Sequence, residues 1–454
     1  MNEIGNSFLQ ILYRYRSSKK MEYYKYLNKN QWNSLEKNIN IQRELLYNII
    51  KYAFNEIPYY KKHKKNLNTF KKETIFEDIK KLPFLTKGEL KEEFDNLFKI
   101  NPRLKRIYTN YSGGSTGEPT KFLQDNYYSD WSAATKMLFN EWAGRKPGDL
   151  LIKLWGSERD ILGQKESLKQ LIGSWIENVK ILNSFIMTEE NMKRYIKEIN
   201  IYKPKMILAY VQPIYELAKY SQENHIKVFS PGSIMTSAGI LYSEYKRLIE
   251  KVFQCPVFNR YGTREVGDIA CDCQTQKGFH INLFTHYIEI IDKQGNNIGP
   301  NKMGEVVITA LRNYTMPLIR FKIGDMAILK QEQCSCGRGL PLIMNVLGRD
   351  TDVFKTLSGK IVPGEYFIHF IGVVSNKGII KRFQVIQENI DYIIVKIVLD
   401  NNGEFEKNKN VFDDIKDKIT LAMGKETKID FKLVDEILPE KSGKYRYTIS
   451  KVYQ

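Results

Sequence analysis

Between about residue 106 and residue 350, short apolar runs alternate with stretches whose apolar residues recur at helical spacing. DLLIKLW (149–155) precedes the amphipathic NMKRYIKEIN, and KMILAY precedes PIYELAKYSQEN. A chain written this way has few options, because each apolar run needs a helix face to cover it, and the pattern predicts an α/β arrangement. Residues 1 to about 105 read as helical instead, through IQRELLYNIIKYAFNEIPYYKK and LPFLTKGELKEEF, with Thr86 placed as an N-cap and Glu89 three positions on. From HYIEIIDKQGNNIG to GEVVITAL the pattern turns β-rich, with Gly-Asn turn signals between runs. The last hundred residues, from about 351, hold β-type runs (FQVIQ, YIIVKIVLD) around a charged helix, EFEKNKNVFDDIKDKI, and read as a small α+β module. No internal repeat or low-complexity linker interrupts the chain.

A chain of 454 residues accommodates two or three domains around a sizeable core. Its net charge of +18 comes mostly from lysines spread along polar faces of helices, so it predicts solvated surface and no nucleic-acid binding. The same surface suits phosphorylated small molecules or an acidic protein partner. No apolar run approaches the ~18 residues of a membrane span, and the first twenty residues carry acidic and basic groups where a secretory leader is apolar. With five cysteines, an odd number, a disulfide framework is not expected, and a reducing, cytoplasmic setting is.

Within the segment YSGGSTGEPTKF (111–122), residues 112–117 pack three glycines and three hydroxyl residues into a short loop able to present N–H groups and Oγ atoms to phosphate. It is not a Walker A loop, because Lys121 lies four residues after Gly117. Four companions follow in order: RYGTREVGDIA (260–270), MPLIRFKIGD (316–325), LGRDTDVF (347–354) and LPEKSGKYR (438–446). This ordered set resembles the AMP-forming adenylating enzymes, and most closely the phenylacetate-CoA ligase, coenzyme F390 synthetase and CapK-like branch. LPFLTK, IKLWGS, the arginine in YGTRE and the CSCGRG knuckle point to that branch, and the resemblance spans essentially the whole chain. It implies an α/β fold with a large, multi-subdomain N-terminal adenylating domain (1–350, of which 1–105 is the helical part) and a small, mobile α+β lid (351–454).

The resemblance also assigns roles. Ser112, Gly113, Gly114, Ser115, Thr116 and Gly117 would cradle the β- and γ-phosphates of ATP, with Ser115 and Thr116 as side-chain contacts. Ser237, Ala238 and Gly239 join the nucleotide-binding set, as do Tyr261, which would pack on adenine, and its neighbours Gly262 and Thr263. Glu265 matches the Mg²⁺-binding glutamate, a hard oxygen ligand suited to an ion bridging phosphates. Asp325 matches the aspartate that accepts from both ribose hydroxyls, and Arg349 an arginine near the ribose at the domain junction. Lys444 matches the catalytic lysine carried by the mobile domain. Two departures stand out: FKIGD replaces the usual Tyr-Arg-Thr-Gly-Asp, leaving Lys322 where an arginine is expected, and Thr351 lies between Asp350 and Asp352 at the hinge.

Cys273 and His280 form a Cys-x₆-His pair, and Cys334 and Cys336 a Cys-x-Cys knuckle. Together they could complete a closed, tetrahedral, structural Zn²⁺ site, with Cys271 as a spare candidate and His286 as a weaker one. The alternative is four reduced thiols with no metal.

The chemistry implied is attack of a carboxylate on the α-phosphate with release of pyrophosphate, then acyl transfer to a thiol, coenzyme A or a carrier-protein phosphopantetheine. The carboxylate is already ionised, so catalysis rests on positioning and charge neutralisation. Coenzyme A is the preferred acceptor. An amide-forming ligase, AMP transfer to a hydroxyl, and a non-catalytic nucleotide-binding scaffold are the other readings, and a homodimer is left open by analogy. The acid itself is not legible. Its pocket is expected from the stretch around Trp131 and Trp142 and from AYVQPIYEL and SIMTSAGIL.

Overall fold

The computed structural model describes the chain outside residues 1–17, 63–69, 100–105, 112–119, 156–176, 185–186, 188, 240, 348–352, 360, 365–366, 368–370, 372–378, 400–405, 438–446 and 453–454. Helices α1 (Lys20–Asn30) and α2 (Leu35–Glu56) make an N-terminal layer. Helix α2 starts where the Ser34 side chain accepts from the Lys37 amide, and it buries Leu46, Ile49, Ile50, Ala53 and Phe54 along one face. The short helix α3 (Lys87–Glu92) opens in the capping box that the sequence predicts. The Glu89 amide donates to Thr86 Oγ1 at 3.2 Å, and the Thr86 amide donates to the Glu89 carboxylate at 2.8 Å.

Strands β1 (Tyr108–Tyr111) and β2 (Lys121–Gln124) pair antiparallel, Tyr111 opposite Lys121. Helix α4 (Asn126–Trp142) follows, capped by Asp125, whose carboxylate accepts from the Tyr128 amide at 2.8 Å. Then come β3 (Leu151–Trp155), β4 (Val179–Asn183), helix α5 (Glu189–Tyr202), β5 (Met206–Tyr210), helix α6 (Val211–Glu223), β6 (Ser233–Ser237), helix α7 (Ser243–Phe253) and β7 (Val257–Thr263). These five strands are parallel, in the order β4-β3-β5-β6-β7. Side chains alternate across them. Ile152, Leu154, Ile207, Ala209, Ile234 and Val257 share a core with α5, α6 and α7, while Leu151, Leu208, Met235 and Phe258 pack on the α4 side.

At β7 the same sheet becomes antiparallel. Strands β8 (Gly267–Asp272), β9 (Phe279–Ile281), β10 (His286–Ile291), β11 (Met303–Ala310), β12 (Phe321–Leu329) and β13 (Leu342–Leu347) extend it in the order β7-β8-β9-β13-β12-β11-β10. The N-terminal layer is keyed into this half. Gly339 N–H donates to the Gln31 carbonyl at 2.9 Å and Asn38 Nδ2 donates to the Gly339 carbonyl at 2.8 Å. Gln31 Oε1 accepts from both Trp142 Nε1 (2.7 Å) and Arg338 Nε (2.8 Å). A Cβ on Gly339 would lie 2.0 Å from the Asn33 carbonyl oxygen, so only glycine fits this joint.

The C-terminal part is a four-stranded sheet in the order β18-β17-β16-β19, built from β16 (Ile380–Asn389), β17 (Tyr392–Leu399), β18 (Lys428–Leu433) and β19 (Thr448–Ser450). A ribbon of β14 (Val353–Lys355) and β15 (Ile361–Pro363) and helix α8 (Lys409–Met423) complete it. Its core, with Phe354, Phe367, Phe383, Val395, Phe412 and Ile419, also takes in Val211 and Tyr245 of α6 and α7. Beside that contact Lys418 Nζ lies 3.2 Å from Glu216 and 3.1 Å from Asp414. No helix among the described residues is long and apolar enough to cross a membrane.

Candidate functional site

The hairpin between β7 and β8 is drawn tight by two glycines. A Cβ on Gly262 would stand 2.5 Å from the Gly267 carbonyl oxygen, and Gly267 itself has φ +81°. The turn they enclose carries Thr263, whose hydroxyl accepts from the Val266 amide at 3.4 Å, and Glu265. Glu265 is 5% exposed, so it is no ordinary surface glutamate. Its Oε1 lies 3.9 Å from Lys87 Nζ. Gln124, at the end of β2, donates to the carbonyls of Arg264 (3.2 Å) and Glu265 (3.4 Å). The β1–β2 hairpin is thereby tied to the Glu265 turn, an anchor that sequence reasoning missed.

Asp325 is positioned by an irregularity in β12. Val307 pairs with Lys322, yet Glu305 pairs with Met326, so β12 carries extra residues across from Val306, with Gly324 at φ +88°. The bulge brings the Asp325 carboxylate to Tyr261, which donates its phenolic hydrogen to Oδ2 at 2.7 Å. Two sequence motifs 64 residues apart thus meet in one charge-assisted hydrogen bond. Glu265 is linked to the same strand. Lys87 follows Leu85, and Leu85 bridges to Phe321, accepting from the Lys322 amide and donating to the Arg320 carbonyl. Ser237 closes β6 and is buried, and Ala238 follows in the left-handed region at φ 54°. Both Ala238 and Tyr261 lie two residues beyond the paired Thr236 and Asn259, at the carboxyl ends of neighbouring parallel strands. A Cβ on Gly239 would meet Val211 at 3.3 Å.

The two cations of MPLIRFKIGD are both spoken for. Lys322 Nζ pairs with Glu305 at 2.8 Å and stands over the Phe84 ring at 4.7 Å. Arg320, 3% exposed, grips Glu289 with Nε and Nη2 at 3.1 and 2.9 Å and donates to the Lys80 carbonyl at 2.8 Å. Of the other expected site residues, Ser112, Gly113, Gly114, Ser115, Thr116, Gly117, Arg349 and Lys444, with Thr351 at the expected hinge, lie outside the described residues.

The four expected metal ligands converge. The ligand atoms of Cys273, His280, Cys334 and Cys336 all lie within 4.8 Å of one another. Cys273 and Cys334 sulfurs are 3.7 Å apart, and Cys336 Sγ is 3.3 Å from His280 Nε2. Two thiolates at ~2.3 Å from one tetrahedral ion would be separated by about 3.8 Å, so the cluster has the dimensions such an ion requires. His280 Nδ1 faces the Leu340 carbonyl at 3.3 Å, which leaves Nε2 free to ligate. Thr275 Oγ1 reaches Cys334 Sγ at 2.9 Å and Cys273 Sγ at 3.2 Å. Neither reserve candidate belongs to the group. Cys271 is sealed in the main core. His286 spends Nε2 on the Val266 carbonyl (2.7 Å) and Nδ1 on Thr285 Oγ1 (2.9 Å), and burial pushes its pKa down to about 4.

Within the stretch around Trp131 and Trp142, the two tryptophan rings themselves pack on the N-terminal layer. Trp131 stacks on Tyr23 at 4.2 Å under Arg312, and Trp142 bonds Gln31 under Arg338. The same helix does wall a cavity of about 290 Å³, but through Ala133, Lys136, Met137 and Asn140.

Comparison with known proteins places this architecture. Residues 354–451 match the CapK C-terminal domain family. Protein CapK of Staphylococcus aureus is 28% identical over 422 residues, covering 91% of this chain and 88% of the relative. The phenylacetate-coenzyme A ligase of Thermus thermophilus is 24% identical over 342 residues, 71% of this chain and 73% of the ligase. Over most of its length the chain is thus similar to CapK and to phenylacetate-coenzyme A ligases, and its last hundred residues match the CapK C-terminal domain family. The fold agrees. A 2-hydroxyisobutyryl-CoA ligase in its postadenylation state superimposes with a TM-score of 0.63 at 16% identity, covering 93% of this chain and 91% of that one. The same ligase in its thioesterification state gives 0.58 at 18% identity. Within this fold, Tyr261, Asp325 and the buried Glu265 occupy the region where the parallel and antiparallel parts of the sheet join.

Proposed function

We propose that this chain is an ATP-dependent, AMP-forming ligase that activates a carboxylic acid and passes the acyl group to a thiol, coenzyme A by preference. A carboxylate oxygen would form a bond to the α-phosphorus as the bond to pyrophosphate breaks. A thiolate would then form the C–S bond as the acyl C–O bond breaks and AMP departs. The hydrogen bond from Tyr261 to Asp325 carries the proposal, because it sets a carboxylate acceptor beside an aromatic ring where the ribose and adenine of a nucleotide would lie. The relatives support it: the Thermus protein is named as a phenylacetate-coenzyme A ligase, and the superimposed structure holds an acyl-adenylate.

In this scheme Ser112, Gly113, Gly114, Ser115, Thr116 and Gly117 cradle the β- and γ-phosphates, and Ser237, Ala238, Gly239, Gly262 and Thr263 line the nucleotide. Glu265 would hold Mg²⁺, which when bound neutralises phosphate charge. Glu265 fits that task, being buried and, among the described residues, partnered by a single distant lysine contact at 3.9 Å. Asp325 orients the ribose, Arg349 approaches it from the domain junction, and Lys444 neutralises charge on the reacting oxygens. The proposed division, 1–350 against 351–454, puts Lys444 on the smaller part, so that it enters and leaves with that part. Cys273, His280, Cys334 and Cys336 would hold a structural Zn²⁺ that clamps the β8–β9 turn to the loop before β13.

Carboxylate-dependent ATP–pyrophosphate exchange across aryl, fatty, hydroxy and amino acids tests the adenylation step. Mass spectrometry of the products with and without coenzyme A tests the acceptor. Exchange with a thioester only when coenzyme A is present is the expected result. Product with an amine alone would reassign the acceptor, and ATP binding without exchange would refute the activity.

A further inference from the structure

The cavity behind α4 is a cationic one, with more positive than negative side chains among its described lining residues. Leu151, Lys153 and Trp155 alternate onto the face of β3 that α4 covers, and across the row Leu208 follows the same rule. Five lining residues are cationic, among them Lys136, Arg145, Lys153 and Arg260. Glu177 is the single acid among the described lining residues, and Lys20 holds it at 2.6 Å. Arg260 is 8% exposed. One of its terminal nitrogens reaches Asp268 at 3.4 Å, but its Nε is buried without a hydrogen-bond partner among the described residues. Asn140 Oδ1, on the opposite wall, is likewise buried and unpartnered. Lys153 has neither an ion pair nor a hydrogen bond among the described residues. Burial, with Lys136 adding a like charge, pushes its ammonium down to about 8. An ammonium and a guanidinium nitrogen left unsatisfied around an open space cost free energy that an anion placed between them would recover.

The cavity's place in the sheet says which part of a ligand would enter it. Trp155 and Tyr210 end their strands with ring centroids 3.9 Å apart, and the Arg260 guanidinium lies 5.7 Å from the Trp155 ring. Arg260 is also the residue before Tyr261, so the cavity and the nucleotide-facing Tyr261–Asp325 pair share strand β7. Lys153 sits one side-chain step deeper than Trp155, about 7 Å along β3.

We propose that this cavity receives the far end of the acid being activated, and that Lys153 and Arg260 bind a second anionic group there, so that the preferred substrate is a dianionic acid such as a dicarboxylate. The inference rests on the adenylating reading above. Recognition is by charge-assisted hydrogen bonds from Lys153 Nζ and Arg260 Nε, with Trp155 and Tyr210 flanking the connecting chain.

Glutarate, adipate and pimelate, each against its own monoamide, are the probes, with ATP–pyrophosphate exchange and thermal shift as the two readouts. Each monoamide keeps one activatable carboxylate and the same length, and lacks only the second charge. Wild type is expected to favour at least one diacid over its monoamide by tenfold or more in kcat/KM. Lys153→Met should bring that ratio to within about threefold without lowering the melting temperature, and Lys153→Gln serves if the methionine variant does not fold. Exchange that is equal or better with the monoamides overturns the proposal and leaves adenylation standing, as does a Lys153 variant that keeps the preference. No exchange with any acid refutes adenylation. In that case stabilisation by the diacids, absent with the monoamides and lost in Lys153→Met, would still establish the anion site, and no stabilisation would dispose of both.

Discussion

Replacing Tyr261 with phenylalanine deletes one oxygen and keeps the ring. The lost contact is a 2.7 Å hydrogen bond into the Asp325 carboxylate from a tyrosine only 9% exposed. Hydrogen bonds to charged groups contribute about 1.5–3 kcal/mol. Part of that loss falls equally on free and nucleotide-bound protein. The rest is the cost of re-ordering a carboxylate that the phenol no longer aims, roughly 0.75–1.5 kcal/mol if half of the contact is specific to the bound state. The KM for ATP should therefore rise about three- to twelve-fold, since 1.4 kcal/mol is tenfold. The KM for the acid should stay within about twofold, because the carboxylate site is elsewhere. The assay is pyrophosphate exchange with ATP and acid varied separately, with Asp325→Ala as the reference for complete loss of the acceptor. A Tyr261→Phe protein with an unaltered ATP KM, beside an Asp325→Ala protein that has lost ATP, would show that the hydrogen bond aims nothing.

Other consequences are open to direct measurement. Purified protein should contain one zinc per chain, and Cys334→Ser with Cys336→Ser should lose both the metal and much of the stability, since structural zinc contributes about 10–16 kcal/mol in small domains; a metal-free protein that melts normally would remove the site. Arg320→Met strands Glu289, whose side chain is 1% exposed, and should cost about 3–5 kcal/mol in chemical denaturation. The double change with Glu289→Met should recover most of that, and additive losses would contradict the pairing. Lys444→Ala should abolish adenylation while sparing ATP binding, and unchanged adenylation would end its assignment.

Much of this was legible from local rules. The Thr86–Glu89 capping box, the runs MILAY and VVITA as strands, and the C-terminal sheet from FQVIQ and YIIVKIV each follow from spacing that tertiary packing did not override. The convergence of Cys273, His280, Cys334 and Cys336 was legible for a different reason, since thiol and imidazole pairs at short spacing carry few other meanings. What stayed hidden depends on partners far along the chain. Nothing in MPLIRF says that Arg320 turns inward to Glu289 and the Lys80 carbonyl, because that choice is made by β10 and by the segment before α3. The tryptophans of α4 were equally ambiguous, as a ring that packs on Tyr23 and one that lines a pocket have the same helical spacing. Lys153 did leave a trace, a lone charge inside the apolar run LLIKLW, and only the sheet shows that it faces a cavity.

The joint between the N-terminal helices and Gly339 also sets a timetable for synthesis. Asn38 and the carbonyl it needs are 301 residues apart in sequence, and Gln31 and Arg338 are 307 apart. A ribosome adding roughly 5–20 residues per second makes α1 and α2 about fifteen to sixty seconds before their socket exists. For that interval the apolar face of α2, with Leu46, Ile49 and Phe54, has nothing of its own chain's distal half to cover it. Helices this early in the chain are thus among the last to be locked, and a nascent polypeptide stalled short of residue 339 would be a client for chaperones, whatever the stability of the finished protein.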